Sequence, residues 1–210
     1  MFRVLGDEHR LAMVDALRLS DRTPTELQEL TGLASNLLAF HLDALEEVGL
    51  IERHRSQGDG RRRYVSLRHD TLAGVLEVSR LRAGMVLFVC TRNSARSQVA
   101  SALWEARTGG RSMSAGTDPA PAVHPLAVEV AADHGLDLSG ARPRSYQEVE
   151  ADPQLVVSVC DRARESGLAF DVPLLHWSIA DPADGDRDTF QTAFDEIARR
   201  VDVLAGQVAA

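Results

Sequence analysis

The chain has 210 residues, 44% hydrophobic and 26% charged, with a formal charge of −8; this is the balance of an ordinary soluble globular protein of one large or two small domains. It is no polycation overall, so any nucleic-acid surface must be local, and no run approaches the ~18 apolar residues of a membrane span. The two cysteines, Cys90 and Cys160, exclude a disulfide scaffold and a four-cysteine zinc site, and without a basic-then-apolar leader the chain reads as cytoplasmic, with no membrane partner and no bound metal or cofactor.

Phe2–Leu19 spaces Leu5, Leu11, Met13, Val14, Ala16 and Leu17 as one helix with a buried face. Thr23-Pro24-Thr25-Glu26 is a start signal: Thr23 caps, Pro24 takes the first helical position and Glu26 completes a capping box. That helix runs to Thr31, Gly32 allows a tight turn, Ser35 can cap again, and Asn36–Val48 carries Leu38, Leu42 and Leu45 at helical spacing before Gly49 stops it. Two short helices about a glycine turn describe a helix-turn-helix.

Leu50–Arg55 and Arg61–Leu67 flank Ser56-Gln57-Gly58-Asp59-Gly60, and Asp-Gly between extended runs predicts a hairpin wing. From Arg53 to Arg68 the wing holds Arg53, Arg55, Arg61, Arg62, Arg63 and Arg68 against the single acid Asp59. Arg61, Arg62 and Arg63 are the candidates for phosphate or minor-groove contact, and Ser35, Asn36, Phe40 and His41 are those on the recognition helix. Phe40 and His41 would serve equally well as intramolecular packing.

This order of elements, with Leu5-Gly6-Asp7-Glu8-His9-Arg10-Leu11 and His41-Leu42-x-x-Leu45-x-x-x-Gly49-Leu50-Ile51, is similar to the ArsR family of bacterial repressors. The resemblance implies a winged helix that binds operator DNA as a homodimer. Family members that sense metals use cysteine or histidine clusters; this domain has no cysteine, and His9, His41, His54 and His69 lack ligand spacing. Thr71–Arg82 is expected to be an amphipathic helix offering Leu72, Val75, Leu76 and Leu81 to a dimer seam. It runs into the next strand with no Pro-, Gly- or Ser-rich linker, so domains at 1–83 and 84–210 are expected to keep a limited range of orientations.

From Met85 the pattern alternates: strand Met85–Cys90, helix Ser97–Thr108, strand Arg111–Ala115, helix Val123–His134, strands Leu155–Cys160 and Leu174–Trp177, helix Thr189–Gly206. This predicts an α/β domain with a parallel sheet, helices on both faces and sites at the carboxyl ends of the strands. Cys90 stands at such an end. Five residues separate it from Arg96, so the loop Thr91-Arg92-Asn93-Ser94-Ala95 can curl with its backbone N–H groups inward around a tetrahedral oxyanion. Arg96 would close the ring, Ser97 and Asn93 would orient the thiolate, and the following helix adds its positive end.

Val86–Ala100 resembles the nucleophile loop of the low-molecular-weight protein tyrosine phosphatase fold, and within it the arsenate reductase branch, for which Asn-Ser-Ala-Arg-Ser-Gln is typical. The resemblance implies arsenate or phosphate as the bound oxyanion, Cys90 as nucleophile and Asp181, in Asp181-Pro182, as general acid. His124 and Trp177 would line the pocket or the core. Arg92 departs from the glycine usual in the phosphatases, and a positive φ there would strain it by ~1 kcal/mol or more.

Ala183-Asp184-Gly185 replaces the aromatics that such phosphatases place after Asp-Pro, which favours an inorganic oxyanion over an aryl phosphate. Cys160 resembles the second cysteine of thioredoxin-coupled arsenate reductases, but the third is missing: Glu165, Ser166 and Gly167 occupy its region. The reading is a DNA-binding regulator fused to an arsenate reductase-like domain served by an external thiol or redoxin. The alternatives are a non-enzymatic oxyanion or arsenite sensor controlling the repressor, and a phosphatase.

Overall fold

Local chemistry sets the first helices. In this computed structural model, which describes residues 2–68, 81–82 and 84–209, helix α1 is Phe2–Leu5 and α2 is Glu8–Leu17. The single helix expected over Phe2–Leu19 is therefore two. Asp7 is extended (φ −99°, ψ 130°), and its carboxylate accepts the Arg10 N–H at 3.0 Å, so the chain restarts a helix there. Helix α3, Pro24–Thr31, begins with the full capping box: Thr23 Oγ1 accepts from Glu26 N at 3.2 Å, and Glu26 Oε2 accepts from Thr23 N at 2.8 Å.

Gly32 ends α3 with φ 68°, a left-handed turn that costs glycine nothing. Helix α4 is Ser35–Glu47, and here the expected Ser35 cap is displaced. Ala34 holds the cap position, its carbonyl accepting from Leu37 and Leu38 N–H at 3.0 and 2.9 Å, so the backbone starts the helix one residue before the serine can act.

Strands β1, Ile51–Arg55, and β2, Arg63–Leu67, pair antiparallel from Ile51 opposite Leu67 to Arg55 opposite Arg63. At the wing tip, Ser56 Oγ accepts from the N–H groups of Gly58 and Asp59 at 2.9 and 3.1 Å. Met13, Val14, Leu17, Leu27, Leu38, Leu42, Leu45, Leu50, Ile51, Val65 and Leu67 form one buried cluster. Each such side chain contributes about 1.5–3 kcal/mol, so the cluster dominates any single surface contact. This unit spans Met1–Val78 and the second Ser79–Ala210. The helix expected at Thr71–Arg82 lies outside the described residues except for its end. Leu81–Arg82 is instead a strand, β3.

In the second unit β3 pairs parallel with β8, Val208–Ala209. The rest is β4 Met85–Cys90, α5 Arg96–Thr108, β5 Arg111–Gly116, α6 Pro125–Asp133, β6 Leu155–Ser158, α7 Asp161–Glu165, β7 Leu174–His176 and α8 Arg187–Ala205. The main sheet has the order β5-β4-β6-β7, all parallel. All six residues of β4 are buried, as expected of a strand covered on both faces. Chain order reverses direction across β4 and β6, which opens a crevice at their carboxyl ends. Cys90 ends β4, and Cys160 follows β6. The strand expected through Cys160 stops at Ser158, because Cys160 turns to cap α7.

Thr23→Ala removes one half of the capping box. The first unit should lose about 1 kcal/mol, read as a lower urea midpoint with an unchanged slope.

Candidate functional site

The loop between β4 and α5 is shaped from outside. The carbonyls of Cys90, Thr91, Arg92 and Ser94 accept from the N–H groups of Thr117, Asp118, Ala120 and His124 at 3.1, 2.9, 2.8 and 2.8 Å. The N–H and C=O of a trans peptide point in opposite directions. With these carbonyls turned outward, the N–H groups of Thr91, Arg92, Asn93 and Ala95 turn toward the inside of the loop. Close approach of the two segments depends on Gly116, where a Cβ would stand 2.6 Å from the Thr91 carbonyl oxygen and 3.1 Å from Asn93 N. Nothing in the sequence alone marks that glycine.

Cys90 Sγ, only 2% exposed as a residue, accepts from Asn93 N at 3.1 Å and lies 3.1 Å from Ser97 Oγ. Ser97 Oγ already accepts from Asn93 Nδ2 at 2.8 Å, which leaves its own hydrogen for the sulfur. Both contacts bring a hydrogen-bond donor to the sulfur. Asn93 is the non-glycine residue with a positive φ, 47°, among the described residues. Arg92 is not, so its substitution for glycine carries no backbone strain; its guanidinium pairs with Asp118.

Arg96 is 6% exposed and heads α5. It donates to Ile179 O at 2.8 Å and Asp181 Oδ2 at 2.6 Å, which brings two residues 85 apart in sequence together. Asp181 Oδ1 also accepts from Ala183 N at 3.2 Å. Cys160 Sγ lies 3.3 Å from Thr91 Oγ1, so the second cysteine touches the loop that follows β4. Burial raises the Cys160 pKa, and the neighbouring Cys90 charge adds to that; Arg96 and the contacts with Thr91 and Ala163 oppose it. Behind it runs a buried polar chain absent from the sequence reading. Ser158 Oγ is 2.9 Å from His176 Nδ1, and His176 Nε2 is 3.3 Å from Asp161 Oδ1.

Trp177 is core, 2% exposed, with its ring centroid 5.9 Å from that of Phe88. His124 caps α6 and stacks on Phe190 at 4.5 Å, so packing rather than an open pocket accounts for both. Among the described residues no group of three or more His, Cys, Asp or Glu is placed to hold a metal, and no helix is long and apolar enough to cross a membrane.

In the first unit the named residues divide. Phe40 is 62% exposed, and Ser35, Asn36, Arg61, Arg62 and Arg63 are exposed as well. His41 is buried, its Nδ1 3.6 Å from Asp7 Oδ1, so its imidazole joins helices and is withdrawn from any groove. Arg53 is engaged within the domain, bound to Asp43 at 2.7 Å and to Glu46. Asp59 holds Arg61 at 3.1 Å and stands 3.9 Å from Arg62.

A parallel sheet whose central strand ends in Cys-x5-Arg-Ser at the head of a helix defines the low-molecular-weight phosphatase class. The family model described as low molecular weight phosphotyrosine protein phosphatase matches residues 85–210, and the chain belongs to that family. A helix-turn-helix domain model matches residues 5–54, so the chain joins a helix-turn-helix domain to an arsenate-reductase-like one.

An arsenate reductase of Brevibacillus brevis is 32% identical over 129 residues, 57% of this chain and 92% of that protein. A glutaredoxin arsenate reductase of Synechocystis is 29% identical over 135 residues, 59% of this chain and 97% of that protein. The crystal structure of an arsenate reductase from Archaeoglobus fulgidus aligns with a TM-score of 0.51 at 36% identity, covering 58% of this chain and 98% of that one.

The raised Cys160 pKa has a direct readout. Iodoacetamide should label Cys160 slowly at neutral pH and faster as the pH climbs above the ordinary thiol range, followed by mass spectrometry of peptides; a flat profile would contradict the burial argument.

Proposed function

We propose that the second unit reduces arsenate and that the first binds operator DNA as a homodimer. The observation that carries the enzymatic reading is the joint placement of Cys90, Arg96 and Asp181 about one loop with inward N–H groups. Arsenate enters this ring and competes with Asp181 for the Arg96 guanidinium, which frees the carboxyl to act on the departing oxygen. Cys90 thiolate attacks arsenic, forming an S–As bond, while one As–O bond breaks and Asp181 protonates that oxygen.

A second thiolate then attacks Cys90 Sγ. An S–S bond forms, the S–As electron pair stays on arsenic, and As(V) becomes As(III), released as arsenite. Cys160 supports the role of second thiol by its contact with Thr91. An external thiol or redoxin returns the disulfide to two thiols. The small residues Ala183-Asp184-Gly185 after Pro182 leave no aromatic wall for an aryl phosphate.

Cys90→Ser should abolish arsenate turnover with an added thiol, and Asp181→Asn should lower kcat about 10²–10⁴-fold. Full activity in either variant rejects the corresponding role. A protein that binds arsenate with no turnover at all, and whose DNA affinity responds to it, is the sensor instead.

For DNA, the wing supplies Arg61, Arg62 and Arg63, and the exposed face of α4 supplies Ser35, Asn36 and Phe40. Helix α4 has no lysine or arginine, so affinity rests on the wing while Asn36 and Phe40 read base edges. Replacing the three wing arginines by alanine should weaken binding to the protein's own promoter and reduce the slope of log K against log salt by up to about 3. An unchanged slope removes the wing from the interface.

A further inference from the structure

Beside β5, at the edge of the main sheet, lies a cavity of about 270 Å³ lined by Gln98, Ser101, Ser112, Ser114, Arg142 and Arg144. No carboxylate lines it, in a chain of charge −8. Elsewhere in this unit Arg92, Arg96, Arg107, Arg187, Arg199 and Arg200 each hold an acid. Arg142 and Arg144 make no salt bridge among the described residues, and both are exposed at the cavity.

The backbone adds a donor. Ser112 N–H reaches Glu105 Oε1 at 3.3 Å and Gly116 N–H reaches Arg144 O at 2.8 Å, both off the free edge of β5. Alternation along the strand puts the Ser114 N–H on that same edge, between them. The hydroxyls of Ser101 and Ser112 are spent on each other at 2.7 Å, so they form wall. Two exposed arginines and an edge N–H thus line one cavity that no carboxylate lines. That chemistry suits oxyanions, and the volume, close to the ~300 Å³ lower end of small-ligand sites, exceeds what a single tetrahedral anion needs.

We infer that this cavity is a binding site for a small multivalent anion bearing several phosphate or carboxylate groups. It shares none of its lining with the loop 90–97, so it is a separate site from the Cys90 cradle. It does touch that loop's supports. Gln98 Nε2 donates to Asn93 O at 3.1 Å and Oδ1 at 3.2 Å, and Arg144 N donates to Asn93 Oδ1 at 2.9 Å. A ligand there sits against the residues that hold Asn93 in place.

The test is a nitrogen–proton correlation titration of the full chain with inorganic pyrophosphate and, separately, citrate. Because resonances report position, binding at the Cys90 loop or the wing is told apart from binding here. Saturable shifts of the Ser114 and Arg142 amides and of the Gln98 side-chain amide are expected with at least one of the two anions. In Arg142→Ala/Arg144→Ala, which alters only exposed side chains, the midpoint should rise at least tenfold. If neither anion moves these signals, or if the double variant titrates with the wild-type midpoint, the site does not exist. Loss of arsenate turnover elsewhere leaves this outcome untouched, since nothing in the titration requires catalysis.

Discussion

The second unit depends on the hydrogen bonding of one side chain, that of Asn93. A φ of 47° is open to asparagine at modest cost, of order 1 kcal/mol, and closed to most other residues. The side chain repays it with bonds to Ser97, Gln98 and the Arg144 N–H, each worth about 1 kcal/mol net in a buried setting. The left-handed turn in the backbone brings the Asn93 N–H onto Cys90 Sγ, and the Nδ2–Ser97 bond leaves the serine hydrogen for the same sulfur. One residue therefore sets both donors to Cys90 Sγ. Gly116 and the 117–124 segment matter because they give that turn its space and tie down its carbonyls.

Arg96 and Asp181 form a direct pair across 85 residues of sequence. A buried guanidinium needs a partner, and breaking such a pair by removing one member is costly. Cys160 is held differently, by burial and by Thr91 and Ala163. Its environment favours the thiol.

In the first unit, acid and base are balanced across the recognition helix. Helix α4 carries Asp43, Glu46 and Glu47 with no lysine or arginine, a poor surface for a polyanion. Arg53 from the wing spans to Asp43 and Glu46 and removes part of that repulsion. The same contact ties β1 to α4, so wing and helix present themselves together. His41 fills a comparable internal role against Asp7.

The sequence by itself determined what neighbouring residues decide. The Thr23–Glu26 box, the Gly32 turn, the Asp-Gly hairpin and the run Val86–Cys90 are short-range signals, and each formed where its chemistry pointed. Cys-x5-Arg-Ser likewise marked the short turn between β4 and α5, because the spacing itself sets the length of the loop. Tertiary structure decided whatever needed partners distant in the chain. It placed Arg96 against Asp181, set Gly116 against Thr91, brought Cys160 against Thr91, withdrew His41 into the interior and pulled Leu81–Arg82 into a strand beside Val208–Ala209. The physical reason is common to all five. Spacing along the chain determines which groups share a face or a turn, whereas burial and long-range pairing depend on which surfaces meet when the sheet and helices close.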